Sequence, residues 1–480
     1  MDSLPNEIVE SICWEVDDIK DLASLRLTSK CLSACATPAY FYDFTLYVNS
    51  DSYAKLEAIC RHDFFRKLVR CLHYSADMVR YYAHWEDDFE IWNMQAVGAG
   101  LGLPTLIREQ FRATFTDEQL RSHWEQWKEV TTKQAELLEP SIPLSSESLE
   151  VYRLCTCLKS LPNLQNISWH GSGSRGHLEM PIDFYAQIPE LENLPTPAQS
   201  TLVARDPLGS KRRHGKQILA ILGAIYLAKS SSCLRSLKCL RLDSISAIQF
   251  ATVSQVADDI WVEEALSNIS HFELKLRPNL SNYDTGIAHN ITMMLGSANR
   301  LRTMRLTLPH TLWPWNVEVP ELPQLTALDL DGFTTTPSFW KSLTAHVPKL
   351  QCVCLSNLGF QGPNKSEDGG PFILHPWLRV VSGFMDLIAM ETIALHGYLK
   401  LEYADEESDD DIDYGSDDDE DEEGEDQNEE LNDDDVDNFS RALYLDDETH
   451  LDSVQETLER HNWTSEIAGC GRGLTIVRDF

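Results

Sequence analysis

The stretch Leu237-Lys-Cys-Leu240-Arg-Leu242 carries an apolar pattern that recurs along the chain and decides the fold. The same template, L-x-x-L-x-L with other large apolar residues allowed, begins at Leu164, Leu237, Ile269, Leu301, Leu325, Leu350 and Met390. Apolar residues that alternate with other residues, as in the second half of the template, are typical of a β-strand with one buried face. We therefore expect one strand at each of these seven places.

The spacing of the template indicates a repeat. Successive first positions lie 73, 32, 32, 24, 25 and 40 residues apart, and the step of 73 contains an insertion. Helical patterns precede five of the strands, at 148–161, 216–230, 253–268, 287–298 and 337–346. One helix and one strand at this period resemble the leucine-rich repeat, whose period is roughly 20–29 residues. The resemblance implies a parallel α/β solenoid, in which each unit buries its apolar face against its neighbours.

A set of unrelated βα units in a doubly wound sheet is the alternative to a solenoid. Three short phrases favour a true array, because Leu-Pro-Asn-Leu, Leu-Pro-Gln-Leu and Val-Pro-Lys-Leu each stand just before a strand. In a solenoid, the residues between the template leucines face the concave side. We expect that side to bind a protein substrate through Arg241, His271, Glu273, Lys275, Arg305 and Asp329. The same face would also carry Asn166, Ser168, His170 and Asp243. The alternative for many of these residues is a simple solvated surface without a binding role.

Residues 1–42 form a second informative stretch, which reads as three short helices. Ser3 is positioned to cap the first, whose first turn holds Pro5. Ile8, Ile12 and Val16 recur at a spacing of four residues, which places them on one helical stripe. Leu22, Leu25 and Leu27 belong to the second helix, after Asp17 and Asp18, which provide a polar break and a cap. Ser29 begins the third helix, which we expect Pro38 to stop.

Three such short helices cannot bury all of their apolar side chains among themselves, so some are left for a partner. The Leu4-Pro5-x-Glu7-Ile8 opening, its spacing to Leu22-x-x-Leu25 and the following Thr28-x-Lys30 resemble an F-box. The resemblance implies binding to the Skp adaptor of a cullin-RING ubiquitin ligase. It assigns adaptor contacts to Leu4, Pro5, Ile8, Ile12, Leu22, Leu25 and Lys30. The alternative is an N-terminal helical cap whose leucines pack on the following domain.

The formal net charge of −36 is concentrated in one segment. Residues 405–437 contain 22 of the 76 acidic residues and no Lys or Arg, so the rest of the chain has 54 acidic against 40 basic residues and a net charge of −14. A nucleic-acid-binding protein needs a basic field, and we expect no direct nucleic-acid contact. Residues 405–437 are predicted to be disordered because their charges repel one another and they contain few apolar residues. They act either as a solubilising spacer or as an anionic arm for a basic partner.

The twelve cysteines do not form a recognisable disulfide framework. We find no signal peptide and no apolar run long enough to span a bilayer, so we expect a protein of the cytoplasm, the nucleus or both, with free thiols. The pairs Cys155-x-Cys157 and Cys352-x-Cys354 lack a second pair at zinc spacing, which favours small buried cysteines and no metal. The basic cluster 211–216, which we place at the end of a loop, is either a nuclear-import signal or a solvated loop.

No catalytic constellation stands out. The glycine-rich run 171–176 matches G-x-G-x-x-G, but a proline follows where a dinucleotide site needs a helix to begin. We find no paired carboxylates or Ser/His/Asp arrangement in a recognisable frame. We therefore expect a non-catalytic protein without a cofactor.

The predicted organisation has five parts. They are an F-box at 1–45, a connector of mixed strands and helices at 46–147, a leucine-rich-repeat-like parallel βα array at 148–403, an acidic disordered insertion at 404–438 and a C-terminal cap at 439–480. We also expect aromatic residues of the connector to hold the F-box rigidly against the array. The predicted function is substrate recognition in a Skp–cullin–F-box ubiquitin ligase. The alternatives are a protein-interaction scaffold without a ligase role and an acidic, chaperone-like binder of basic proteins.

Overall fold

The computed structural model describes twelve continuous stretches of the chain and some isolated positions, and every structural statement below refers to these. They are residues 4–75, 149–170, 210–229, 234–247, 259–277, 284–308, 319–332, 334–362, 376–403, 442–444, 463–467 and 473–478, with Phe250 and scattered positions between 89 and 132. The chain divides into two compact units. The first comprises Met1–Thr311 with Val319–Ala327, and the second comprises Leu312–Glu318 with Leu328–Phe480.

The first unit begins with three helices and continues as alternating strands and helices. The helices are α1 (Asn6–Trp14), α2 (Ile19–Thr28), α3 (Lys30–Tyr40), α4 (Ser50–Arg61), α5 (Leu149–Ser160), α6 (Ser210–Lys229), α7 (Asp259–Leu266) and α8 (Asp284–Ser297). A short 3₁₀ turn covers Phe65–Lys67. The strands are β1 (Asp43–Tyr47), β2 (Cys71–Ser75), β3 (Asn166–His170), β4 (Cys239–Ser246), β5 (His271–Arg277) and β6 (Thr303–Thr307).

Strands β1 to β6 lie side by side in the order of the sequence, and each pair is parallel. The template residues alternate as predicted. Leu240 and Leu242, for example, are fully buried, while Arg241 between them is exposed. The buried side chains pack under helices α5 to α8, whose own apolar residues, such as Leu154, Ile221 and Ile291, are buried as well. An α/β fold is therefore confirmed.

One backbone contact repeats from strand to strand. At most of these strands, the carbonyl of the residue after the first template position accepts two N–H groups from the next unit. The Gln165 carbonyl accepts from Lys238 (2.9 Å) and Cys239 (3.1 Å), and the Lys238 carbonyl in turn accepts from Ser270 (2.8 Å) and His271 (3.0 Å). The same contact recurs at Arg70, Ser270, Arg302 and Gln351. The strands therefore pair with their neighbours at corresponding positions of the template.

The contact also reveals two units that the template missed. The carbonyl of Tyr42 accepts N–H groups from Arg70 (2.9 Å) and Cys71 (3.1 Å), so β1 and β2 belong to the same run of strands as β3. Their apolar positions are filled by Phe44 and Leu46 and by Leu72 and Tyr74. Aromatic residues at leucine positions hid the pattern. The run of strands thus begins at β1, upstream of the predicted repeat boundary at residue 148.

The second unit contains β7 (Ala327–Asp331, whose first residue belongs to the first unit), β8 (Thr334–Thr335), α9 (Pro337–His346), β9 (Cys352–Gly362), α10 (Pro376–Met385) and β10 (Thr392–Tyr403). Three further strands are β11 (Ala442–Tyr444), β12 (Trp463–Ile467) and β13 (Gly473–Arg478). Strands β9 and β10 are parallel, whereas β13 runs antiparallel to both β10 and β12. The predicted closing strand at 474–478 is confirmed as β13, and β12 was not predicted.

Two local expectations change. The basic cluster 211–216 lies within helix α6, which begins at Ser210, and not at the end of a loop. Cys352 is exposed and Cys354 is half-buried, because both lie at the alternating strand positions that face away from the apolar core. Cys155 and Cys157 are buried as predicted. The glycine-rich run 171–176 and the acidic segment 405–437 lie outside the described residues.

Two ionisable groups, one buried and one half-buried, connect helices to their neighbours. The hydroxyl of Tyr74 in β2 donates a hydrogen bond to the Glu150 carboxyl at the start of α5, and both side chains are buried. Burial raises the pKa of Glu150 to about 7, although the bond from Tyr74 opposes this rise. At the end of α6, the Lys229 Nζ donates to the carbonyls of Glu264 (2.9 Å) and Ala265 (2.8 Å), which lie in the last turn of α7. Burial lowers the pKa of this amine to about 8.

Glu150 makes the stability of the first unit depend on pH. Its pKa of about 7 lies above the ordinary value of 4.5, so its contribution to stability is full below pH 4.5 and is lost as the pH rises through 7. We expect the free energy of unfolding of Glu150→Gln, relative to that of the wild type, to be about 3 kcal/mol higher at pH 8 than at pH 4.5. Denaturant unfolding across this pH range, read out by hydrogen exchange in α5 and β2, measures the gain. The exposed Glu118→Gln variant serves as the control, and parallel pH profiles of wild type and Glu150→Gln would contradict the assignment.

Candidate functional site

Helices α1, α2 and α3 share a small apolar core. Its buried members are Val9, Cys13, Leu22, Cys35 and Ala36, and Val16, Leu25, Leu32, Ala39 and Tyr40 pack against them from the side. The buried stripe of α1 is therefore formed by residues 9 and 13, one position after the predicted stripe. Ile8 and Ile12 lie on the exposed side instead.

The helix ends follow the predicted capping residues in part. The Asp18 carboxylate accepts the N–H of Lys20 at 2.7 Å and caps α2, and the Ser29 hydroxyl accepts the N–H of Leu32 at 3.2 Å and caps α3. At α1 the cap residue is Pro5, which makes no side-chain cap bond, and the structure does not describe Ser3. Pro38 does not stop α3, which continues to Tyr40. A proline costs a helix one backbone hydrogen bond, and here that loss falls in the last turns.

Most of the predicted adaptor contacts lie on the surface. Leu4, Pro5, Ile8, Ile12 and Lys30 are exposed, and Leu25 is half-buried. Ile8 keeps 50% of its surface exposed, whereas Leu22 keeps only 6% and belongs to the helical core. Leu22 is thus corrected from a surface contact to a core residue, since it sits where α2 faces α1 and α3. Further exposed apolar side chains on these helices, which the sequence did not single out, are Trp14, Ile19 and Leu27. We call the exposed set Leu4, Pro5, Ile8 and Ile12 the apolar row.

Aromatic residues hold the three helices to the rest of the first unit. The guanidinium of Arg26 stands over the rings of Tyr40 and Phe41, 4.4 and 4.8 Å from their centroids. The Phe41 ring stacks on Phe65 at 4.4 Å, and Phe65 stacks on His62 at 4.2 Å. The sequence assigned this role to the tryptophan-rich part of 76–139, most of which lies outside the described residues.

The second candidate surface is the face of β1 to β6 that points away from the buried template residues, which we call the open face. Strand register places Arg241, Glu273 and Arg305 side by side on β4, β5 and β6. The Glu273 carboxylate lies 3.3 Å from Arg241 Nε and 3.9 Å from an Arg305 terminal nitrogen. The structure therefore brings together three of the six predicted substrate contacts.

The other three predicted substrate contacts lie on β5 and β7. His271 is exposed, and its Nδ1 lies 2.8 Å from the neighbouring Ser270 hydroxyl. Lys275 is exposed at the other end of β5, opposite Thr307. Asp329 is half-buried on β7 and belongs to the second unit.

A second cluster on the open face joins five side chains from β1 to β4. The Ser168 hydroxyl lies 2.6 Å from Nδ1 of His73 and 3.0 Å from Nε2 of His170. The far nitrogen of each imidazole lies 3.5 Å from a carboxylate, which is Asp43 for His73 and Asp243 for His170. Since Ser168 has a single hydroxyl proton, it donates to one imidazole and accepts from the other. We call this arrangement the histidine relay.

The relay holds both carboxylates in their charged form. Burial alone would raise the pKa of Asp43, but contacts with His73 and Cys71 outweigh it and lower the pKa. Burial would likewise raise the pKa of Asp243, but contacts with His170, Ser244 and Lys275 outweigh it and lower the pKa. The relay is a polar network in which each charge has a partner.

The sequence predicted only part of this relay. Ser168, His170 and Asp243 were expected on the same face, but His73 and Asp43 were not. Both lie on β1 and β2, whose template was hidden by aromatic residues. Aligning Leu72 and Tyr74 with the template would have placed His73 beside Ser168.

The sequence matches no protein-family model and no curated protein. Within the described stretches, no helix is both long and apolar enough to cross a membrane. The same stretches hold no group of three or more His, Cys, Asp or Glu side chains arranged to bind a metal ion. The candidate sites are therefore two surfaces, the apolar row on α1 and the open face of the strands.

The burial of Leu22 and the exposure of Ile8 predict opposite effects of truncation. We expect Leu22→Ala to lower the free energy of unfolding of the helical segment by about 2–5 kcal/mol, because it opens a cavity between three helices. Ile8→Ala should change it by less than about 0.5 kcal/mol. Hydrogen exchange of peptides from α1 to α3 measures both effects. Equal losses in the two variants would show that Ile8 is part of the core.

The relay predicts a structural cost for removing its central hydroxyl. Ser168 is 5% exposed, and Ser168→Ala leaves His73 and His170 without their shared partner. We expect a loss of about 1 kcal/mol in the stability of β2 to β4, at the low end for a buried hydrogen bond because both imidazoles are only half-buried. Urea denaturation with hydrogen exchange of these strands measures the loss. Ser24→Ala, on the exposed side of α2, should leave the same strands unchanged.

Proposed function

We propose that this chain is the substrate-recognition subunit of a Skp–cullin–F-box ubiquitin ligase. The N-terminal helices α1 to α3 would act as an F-box that binds the Skp adaptor. The strand-and-helix array, which we interpret as a leucine-rich-repeat-like solenoid, would bind the substrate. The receptor itself carries out no chemistry in this scheme, because ubiquitin transfer belongs to the enzyme that the ligase recruits.

The observation that carries the proposal is the apolar row. Ile8 and Ile12 lie four residues apart on α1, Leu4 lies just before the helix, and all three are exposed, while the opposite side of the helix packs in the core with α2 and α3. Large apolar side chains on one exposed stripe favour a protein partner, since burying them there removes apolar surface from water. The three-helix arrangement, its capping residues and the exposed Lys30 fit the F-box resemblance of the sequence.

Two further features support a receptor role. The stacked side chains from Arg26 to His62 connect the three helices firmly to the strands of the first unit. A ligase receptor needs such a rigid connection, because it must hold its substrate at a fixed distance from the ubiquitin-charged enzyme. The βα units provide an extended polar face, which is the usual binding surface of repeat proteins.

The test is a pull-down with purified Skp adaptor. We expect the wild-type chain to bind and the Pro5→Ala/Ile8→Asp variant to lose binding at least tenfold, because a buried carboxylate would replace an apolar contact. Glu10→Ala, which changes an exposed residue on the other flank of α1, should bind like the wild type. Hydrogen exchange of α2 and α3 must match in all three proteins. Failure of the folded wild type to bind would remove the ligase role and leave the array as an interaction scaffold.

A further inference from the structure

The open face of β4, β5 and β6 has an unusual composition. Its nine positions are Cys239, Arg241, Asp243, His271, Glu273, Lys275, Thr303, Arg305 and Thr307. They include three cationic side chains and two carboxylates, in a chain that is otherwise acidic. None of the nine is a large apolar or aromatic residue other than histidine. We call Arg241, Lys275 and Arg305 the cationic face.

Both carboxylates on this surface already have partners. Glu273 lies between two guanidinium groups, at 3.3 Å from Arg241 and 3.9 Å from Arg305, so one carboxylate faces two positive charges. Asp243 accepts a hydrogen bond from the Ser244 hydroxyl at 2.9 Å and lies 3.5 Å from His170. The side chains of Arg241 and Arg305 nevertheless remain 60% and 54% exposed. Positive charge therefore predominates at the solvent side of this surface.

The spacing of the cations fits one kind of ligand. Arg241 and Arg305 stand at the same level on strands two places apart, which separates them by roughly 10 Å because neighbouring strands lie about 4.8 Å apart. An extended polypeptide in the polyproline II conformation has three residues per turn and rises about 3.1 Å per residue, so residues three positions apart lie on the same side and are separated by about this distance. A peptide lying across the strands can thus present one carboxylate to each arginine if acidic residues recur every three positions.

We propose that the cationic face binds an extended acidic segment of a partner protein, with Asp or Glu at about every third residue. The proposal rests on the proposed function where it takes this partner to be the substrate of the ligase. Glu273 lies between the two guanidinium groups, and a guanidinium carries five N–H donors, so it can contact more than one carboxylate. Lys275 adds a third cation at the next level of β5.

A nucleic acid fits the same surface less well. Its phosphates need a broad basic field, whereas this chain has a net charge of −36, or −14 outside residues 405–437. Single strands are usually held by aromatic side chains that stack on the bases, and the nine positions include no Phe, Tyr or Trp. A short acidic peptide needs only the local charge and avoids most of the repulsion from the rest of the chain. The interaction should weaken as salt is added, because exposed charges are screened.

The test uses the full chain and fluorescence anisotropy with synthetic 15-residue peptides. The probe peptide repeats Glu-Ser-Thr, a neutral peptide repeats Gln-Ser-Thr, and a third has the same composition as the probe with its glutamates placed together. A single-stranded DNA of matched charge is the fourth ligand. A variant lacking residues 405–437 is measured in parallel, because the 22 acidic residues of that segment would compete for a cationic surface.

We expect the Glu-Ser-Thr peptide to bind at least tenfold tighter than the neutral peptide, and several-fold tighter than the peptide with clustered glutamates. Arg305→Glu and Lys275→Glu should each weaken binding at least tenfold. Lys55→Glu makes the same charge change on the exposed side of α4 and should leave binding unchanged. Hydrogen exchange in β4 to β6 shows whether each variant is folded.

Several results would overturn the proposal. They are tighter binding of the DNA than of the peptide, equal losses in Lys55→Glu and Arg305→Glu, or no peptide binding by either the full chain or the variant lacking 405–437. The Skp pull-down on the same preparations separates the two proposals. Peptide binding without adaptor binding would remove only the ligase role, and adaptor binding without peptide binding would remove only the acidic partner.

Discussion

The structure depends on a single type of backbone contact, in which one carbonyl at the start of most strands accepts two N–H groups from the following unit. This contact fixes the register of each strand against its neighbour before any side chain is considered. Once the register is fixed, the template leucines of all units fall on the same side of the sheet. The helices cover that side, and the residues between the leucines are left to solvent. Backbone hydrogen bonds therefore decide which residues lie on the open face, and the side chains of that face take no part in these bonds.

The same separation of faces explains why both candidate sites are surfaces and not pockets. On the strands, charged side chains from neighbouring units meet in rows, and their electrostatic partners are set by the register and not by sequence proximity. Arg241, Glu273 and Arg305 are 32 residues apart in sequence at each step, yet they form one ion-paired row. At the N-terminus the cause is different, because three short helices have too little interior to bury both sides of α1. Their exposed apolar side chains are the remainder of a core that is too small.

The sequence predicted the general features well, for physical reasons that can be named. The spacing of the template predicted the strands and their buried faces, because positions that face the core are filled by leucine or another large apolar residue. It also placed the six candidate substrate residues on the strands, and the structure agrees that they avoid the buried face.

The template failed at β1 and β2, where tyrosine and phenylalanine replace leucine and conceal the unit that supplies His73. Leu22 was misassigned because a helical pattern shows which residues share a stripe but not which stripe a neighbouring helix covers. The capping residues Asp18 and Ser29 were predicted correctly, since their role depends only on local geometry, whereas Pro38 was overrated as a helix stop.

The shared carbonyl lies at the beginning of the strand, and this position has a consequence for the segments that follow the strands. Residues added after a strand, before the next helix, leave the contact between units untouched. The stretch between β3 and α6 extends from 171 to 209, while β3 and β4 still pair residue for residue from Asn166 and Cys239 onward. A long segment can therefore follow a strand without a change in the register of that strand against its neighbour. Segments of different length after the strands, such as loops that bind a partner, are compatible with one and the same pairing of the strands.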